Sequence, residues 1–135
     1  MGANFWLFMG AVSGLSSVAA GAFGAHGLRG RIAPEMLAVF ETGARYQMYH
    51  ALLLCVVGGL LLRAGAAASG TLSLCGGLLV AGTVLFSGSL YVLALTGQRS
   101  LGAITPLGGL CFLAAWAILA VVALRGTLTA GLAGG

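Results

Sequence analysis

The sequence predicts an all-α integral membrane protein: a bundle of four antiparallel transmembrane helices, with a short interfacial helix between the first and second. Three observations carry this expectation. Apolar residues make up 60% of the 135-residue chain and charged ones 6%, with mean hydropathy +1.10; soluble domains run near 45–50% and 25%. The charges leave four long gaps, from Asn4 to Leu28, Tyr46 to Leu62, Ala64 to Gln98 and Ser100 to Leu124. Each gap holds one helix of the roughly 20 residues needed to cross a hydrocarbon layer about 30 Å thick. Finally, helix breakers fall between the gaps: Gly27, Gly30 and Pro34, then Gly65 and Gly70, then Gly97, Gly102 and Pro106. The apolar runs are continuous rather than alternating, which excludes the strands of a barrel.

Taken in order, the first span is expected over Phe5–Ala25. It ends in small residues, as a secretory signal does, yet it lacks the positive n-region of such a signal and its apolar run is longer. Residues 32–43 are read as the interfacial helix, because Pro34 suits a first turn, Glu35 favours the positive end of the helix dipole, and apolar residues alternate with polar ones. The second span is expected over Arg45–Leu62, the third over Leu72–Leu95 and the fourth over Ile104–Leu124, with Thr105 capping the fourth. All of residues 1–135 form a single transmembrane domain, and the connections between spans are short enough to set neighbours antiparallel.

All six basic residues are arginines. Arg29, Arg31, Arg45 and Arg99 fall on one side of the bilayer and Arg63 and Arg125 on the other, which places both termini outside and the first and third connections in the cytoplasm. The formal charge of +4 does not indicate nucleic-acid binding. Single arginines at helix ends anchor to headgroups, whereas a nucleic-acid surface needs them clustered. Cys55, Cys75 and Cys111 fall in three different spans without metal-ligand spacing, so they read as small hydrophobes. Neither a metal nor a cofactor is expected.

The chain holds 24 glycines, well above the average usage near 7%. In lipid, helices gain nothing hydrophobic by joining, and small residues let their backbones approach closely instead. Gly10, Ser13, Gly14, Ser17, Gly21 and Gly24 recur at three- and four-residue steps along one side of the first span. They predict a tight helix contact.

Polar residues concentrate at one end of the bundle. At 100° per residue, Glu41, Arg45 and Tyr49 share one face of a helix and Thr42, Tyr46 and His50 the next, which makes Glu41–Arg45 an expected ion pair. His26 closes the first span and is expected at the depth of His50. Gln47, Ser87, Ser89 and Tyr91 complete the candidate polar cluster. For His50, a hydrogen bond across the bundle competes with proton relay through Glu41 and Tyr49, and with haem or metal ligation together with His26. Trp6, Tyr46 and Tyr49 read as aromatics of the interfacial belt.

Four blocks in order carry a resemblance. They are Gly21-Ala22-Phe23-Gly24-Ala25-His26-Gly27-Leu28, the run Phe40–Ala51 containing Arg45-Tyr46-Gln47-Met48-Tyr49-His50, then Phe86-Ser87-Gly88-Ser89-Leu90-Tyr91, and Gly102–Gly109 containing Thr105-Pro106. Together they resemble the YgdD/YwdK-like family of small integral membrane proteins, a domain of unknown function related to transmembrane protein 256. Arg29-Gly30-Arg31 and the glycine-rich tail from Gly126 are individual to this chain. The resemblance implies a multi-pass protein of the bacterial inner membrane and brings no catalytic residue, ligand or reaction.

The function expected from these readings is non-enzymatic. An accessory or packing subunit, associating with lipid and with other membrane subunits or with itself, is expected first. A small-solute or proton transporter built on Arg45 and His50, and a redox subunit ligating haem or metal through His26 and His50, are the alternatives from other classes.

Overall fold

A computed structural model describes residues 1–125; the tail from Gly126 lies outside the described residues. Every regular element among these residues is helical. Helix α1 (Ala3–Ala22) runs into a π-helical turn over Phe23–Leu28. A short turn with Gly30 at φ +78° leads to α2 (Pro34–Leu61), which has Pro34 in its first turn with Glu35 beside it. Helix α3 (Ala66–Gly82), a second π-helical turn (Thr83–Gly88) and α4 (Ser89–Thr96) follow one another without a break. Gly97, in the left-handed conformation at φ +71°, ends that rod by donating its N–H to the Leu93 carbonyl. A 3-10 turn (Arg99–Ala103) then leads into α5 (Thr105–Leu124).

Among the described residues, three helical stretches are long and apolar enough to cross a membrane: Ala3–Leu28, Ala66–Thr96 and Arg99–Leu124. Helix α2 is less apolar, and its environment accounts for the difference. Gln47, His50, Ala51, Leu53, Leu54, Val57 and Gly58 are all buried, so Gln47 and His50 face protein, while Glu35, Arg45, Tyr46 and Tyr49 are exposed. Residues 32–43 do not form a helix of their own. From Pro34 onward they are the first turns of α2, because nothing at Gly43 interrupts the ladder and its missing side chain admits Tyr91. The third helix begins at Ala66, six residues before the expected start, since alanines and serine extend it through the loop. Thr105 is the first residue of α5 rather than its cap, and its hydroxyl is engaged elsewhere.

The contacts between α1 and α2 run in opposite directions along the chain. Ser17 meets Ala44, Ser13 meets Gln47, Gly10 meets Ala51 and Cys55, and Leu7 meets Gly58. The rod containing α3 and α4 pairs with α5 in the same sense: Cys75 meets Ala115, Gly82 meets Phe112, and Ser89 meets Thr105. Trp6, Val57, Leu72, Cys75, Leu79, Phe112 and Ala115 form the core between the two pairs.

Glycine sets the spacing of both pairs. A methyl group on Gly10 would fall 2.9 Å from the Cys55 amide nitrogen, and one on Gly58 would fall 2.8 Å from that of Leu7. Backbone atoms cannot swing aside, so only hydrogen fits there. Gly82 and Gly108 admit Phe112 and the backbone of Phe86 in the same way. Gly24 sits against Phe40, while Gly14 makes only ordinary contact with Ala51. Gly21 departs from the expected packing stripe, because nothing lies within 4 Å of where its Cβ would be.

Trp6 is not a belt aromatic. It is 4% exposed, with its indole laid over Gly76, where the absent side chain leaves a seat for the ring.

Candidate functional site

Two polar knots and one groove occupy the middle of the molecule. The first knot is Gln47. Its position on the buried side of α2 brings its amide to α1, where Nε2 donates to the Ser13 carbonyl (3.0 Å) and to Ser16 Oγ (2.7 Å). Its Oε1 accepts from the Tyr91 hydroxyl of α4 at 2.7 Å. One side chain therefore ties three helices together. A turn away, Ser17 Oγ donates to the Ala44 carbonyl at 2.7 Å. In a medium without water, each such bond replaces an otherwise unsatisfied group.

The second knot is His50, which is 5% exposed. Its Nδ1 lies 2.7 Å from the Tyr46 carbonyl, and the Trp116 Nε1–H points at its Nε2 across 3.4 Å. A carbonyl only accepts and an indole N–H only donates, so the pairing fits the neutral ring with its proton on Nδ1. The Phe112 ring lies parallel to the imidazole, 2° between planes with centroids 3.4 Å apart. Both faces of the chemistry expected of His50 are thus occupied by protein.

Beside His50 a cavity of about 660 Å³ opens between α2 and α5, lined by Tyr46, Tyr49, Phe86, Leu110, Leu113 and Trp116 among others. Tyr46, Tyr49 and Trp116 are 40%, 52% and 51% exposed. The groove is aromatic and aliphatic, with His50 in its wall. Its size falls within the range of sites that take lipophilic ligands or the side chains of a partner helix.

The remaining candidates disperse. His26 is exposed in the first π-helical turn. Gly24, two residues before it, lies against Phe40 and Glu41, whereas Ala51, next to His50, lies against Gly10. Gly10 and Gly24 stand fourteen residues apart along the same helical run, about 20 Å at 1.5 Å per residue, so the two histidines do not converge. The expectation of equal depth failed because α2 starts at Pro34, eleven residues earlier than the second span was drawn. Glu41 and Arg45 line a separate opening between α1 and α2, and among the described residues no ion pair joins them. Ser89 Oγ lies 2.7 Å from Thr105 Oγ1, tying α4 to α5. Ser87 is fully buried with no hydrogen-bond partner for its hydroxyl, next to Gly43, which approaches its carbonyl.

Sequence reasoning missed Trp116, Phe112 and Ser16, whose roles depend on contacts across the molecule. A sequence signal existed for the first two: aromatics spaced by four on one face of the most apolar helix. The two π-helical turns were also unforeseen. The first falls inside the Gly21–Leu28 block of the resemblance and the second, Thr83–Gly88, overlaps the Phe86–Tyr91 block; such turns often mark functional segments.

No solved structure matches the chain. Curated relatives do. The UPF0382 membrane protein YwdK of Bacillus subtilis is 47% identical over 120 residues, covering 89% of this chain and 96% of the relative. A UPF0382 membrane protein of Staphylococcus haemolyticus is 47% identical over 122 residues (87% and 93%), and one of Staphylococcus aureus 41% over 126 (90% and 97%). The family model described as "Protein of unknown function (DUF423)" matches residues 20–109, a stretch that holds Gln47, His50, Ser87, Ser89 and Tyr91. With that match and these identities over most of its length, the chain belongs to the DUF423 family of membrane proteins.

Proposed function

We propose that this chain is a single-domain, four-span protein of the bacterial inner membrane and a non-enzymatic subunit of a membrane assembly, built with other membrane proteins or with copies of itself. In this reading α2 is the fourth crossing, with Gln47 and His50 tolerated because the three apolar helices bury them. Neighbouring spans are antiparallel, both termini lie outside, and the first turns of α2 lie in the headgroup region. At 28 residues α2 is about 42 Å long, more than the roughly 30 Å of hydrocarbon.

One observation carries the functional part. Of the residues that could line a transport path, His50, Ser89 and Tyr91 direct their polar atoms to other parts of the protein, Ser87 is fully buried and Glu41 and Arg45 border a separate opening, while the cavity beside His50 opens between α2 and α5 and is aromatic. A protein arranged this way offers its flank, not a pore. Pro106, Gly109, Leu110, Leu113 and Trp116 line that flank along about three turns of α5, a length suited to a partner transmembrane helix.

Native mass spectrometry from nanodiscs tests the reading. The expected result is a complex of two or more protein chains that dissociates in Leu113→Arg, with the variant still inserted. A wild-type protein recovered as a monomer carrying lipid only overturns it.

A further inference from the structure

Between the Ser17–Ala44 hydrogen bond and the contact of Gly24 with Phe40, the α1–α2 seam leaves an opening near the first connection. There a cavity of about 320 Å³ is lined by Ser17, Gly21, Glu41, Ala44, Arg45 and Met48. Two features of this opening are unusual. Glu41 and Arg45 stand four residues apart in the orientation that favours a helical ion pair, yet they do not pair with one another. Gly21, which continues the small-residue stripe of α1, has nothing within 4 Å of where a Cβ would stand. The glycine therefore keeps space open where its neighbours along the stripe close it, and opposite charges a helical turn apart border that space.

We propose that this opening holds the headgroup of a zwitterionic phospholipid, with the phosphate on Arg45 and the ammonium on Glu41. The inference rests on the four-span reading, which puts this part of α2 at the headgroup level. Charge complementarity selects the ligand. An anionic headgroup would meet the Glu41 carboxylate without a cation of its own, whereas a phosphate–ammonium pair satisfies both side chains at once. Arginine suits a phosphate because its planar fork can donate two parallel hydrogen bonds. Ser17 does not donate to the phosphate, since its hydroxyl proton already goes to the Ala44 carbonyl.

The test places the full chain in nanodiscs of equal parts phosphatidylethanolamine and phosphatidylglycerol and measures the lipid retained by native mass spectrometry. One phosphatidylethanolamine per chain is expected, preferred about fivefold, the ratio that one partly screened charge pair supports. Arg45→Gln should lose the retained lipid, and Glu41→Gln should shift the preference to phosphatidylglycerol. Gly21→Leu should fill the opening and lose the lipid at an unchanged melting temperature, which separates blocking from misfolding. Equal retention of both lipids, or wild-type preference in Glu41→Gln and Gly21→Leu, overturns the proposal. Displacement by soluble phosphoethanolamine also overturns it, because the site would then serve a free solute. A chain that fails to enter nanodiscs at all speaks against the four-span reading instead.

Discussion

The two ends of the α1–α2 contact are built from the same residue types and do opposite things. At the Gly10 end, glycine removes every atom that would keep the helices apart, and the Cys55 amide nitrogen comes within 2.9 Å of where a methyl group would stand. Toward the first connection, Gly21 faces an opening bordered by Glu41 and Arg45, before Gly24 closes again on Phe40. Between them, Gln47 and Ser17 hold the helices in register through side-chain hydrogen bonds. The lesson is that a stripe of small residues specifies how close a neighbour could come. Whether one does come close is decided by what stands opposite.

Substitutions at three positions probe that contrast. The largest effect is expected at the closed end. Gly10→Leu forces side-chain atoms into backbone and should lower stability by about 3 kcal/mol or more, read as a collapsed melting temperature in detergent; a shift of only a degree or two would mean that the helices part easily there. In the middle, Gln47→Leu removes the tie among three helices and leaves the Tyr91 hydroxyl without its acceptor. Membrane hydrogen bonds average somewhat under 1 kcal/mol each, so a loss of about 1–2 kcal/mol is expected, with Tyr91→Phe in the same background adding little further. The smallest effect belongs to Gly14→Ala, where only the Ala51 methyl is near, at 3.9 Å. A change within about 0.5 kcal/mol is expected, and a large one would show that the closed region extends further toward Gly21 than its contacts indicate.

Much of the fold was legible because hydrocarbon imposes few solutions. The limits of α1 and α5 followed from charge gaps to within a few residues, and the helical class followed from continuous apolar runs. Helix α2 was less legible. Its first turns read as a separate helix because Pro34, Glu35 and the alternation of apolar with polar residues resemble a short element of their own, whereas the helix runs unbroken from Pro34 to Leu61. The π-helical turns left no periodic trace, since each alters the hydrogen-bond ladder without changing the residue types that suit a helix. At the candidate site, Gln47, Ser89 and Tyr91 were recognisable as polar groups in apolar surroundings. Their partners were not, since Ser16, Thr105 and Trp116 are brought to them only by tertiary packing. Gly21 is the sharpest case: the stripe predicted contact, and the absence of anything opposite could not be read from one helix alone.

The burial of the polar side of α2 also constrains how the protein is made. In the four-span reading, a helix that carries Gln47 and His50 partitions poorly into lipid by itself, because each such residue within the hydrocarbon adds an insertion penalty. Ser13 and Ser16, which receive the Gln47 amide, lie on the segment synthesised just before it. The first two helices are therefore best released into the membrane as a hairpin, with α1 acting as an escort that supplies the missing hydrogen-bond partners during biogenesis.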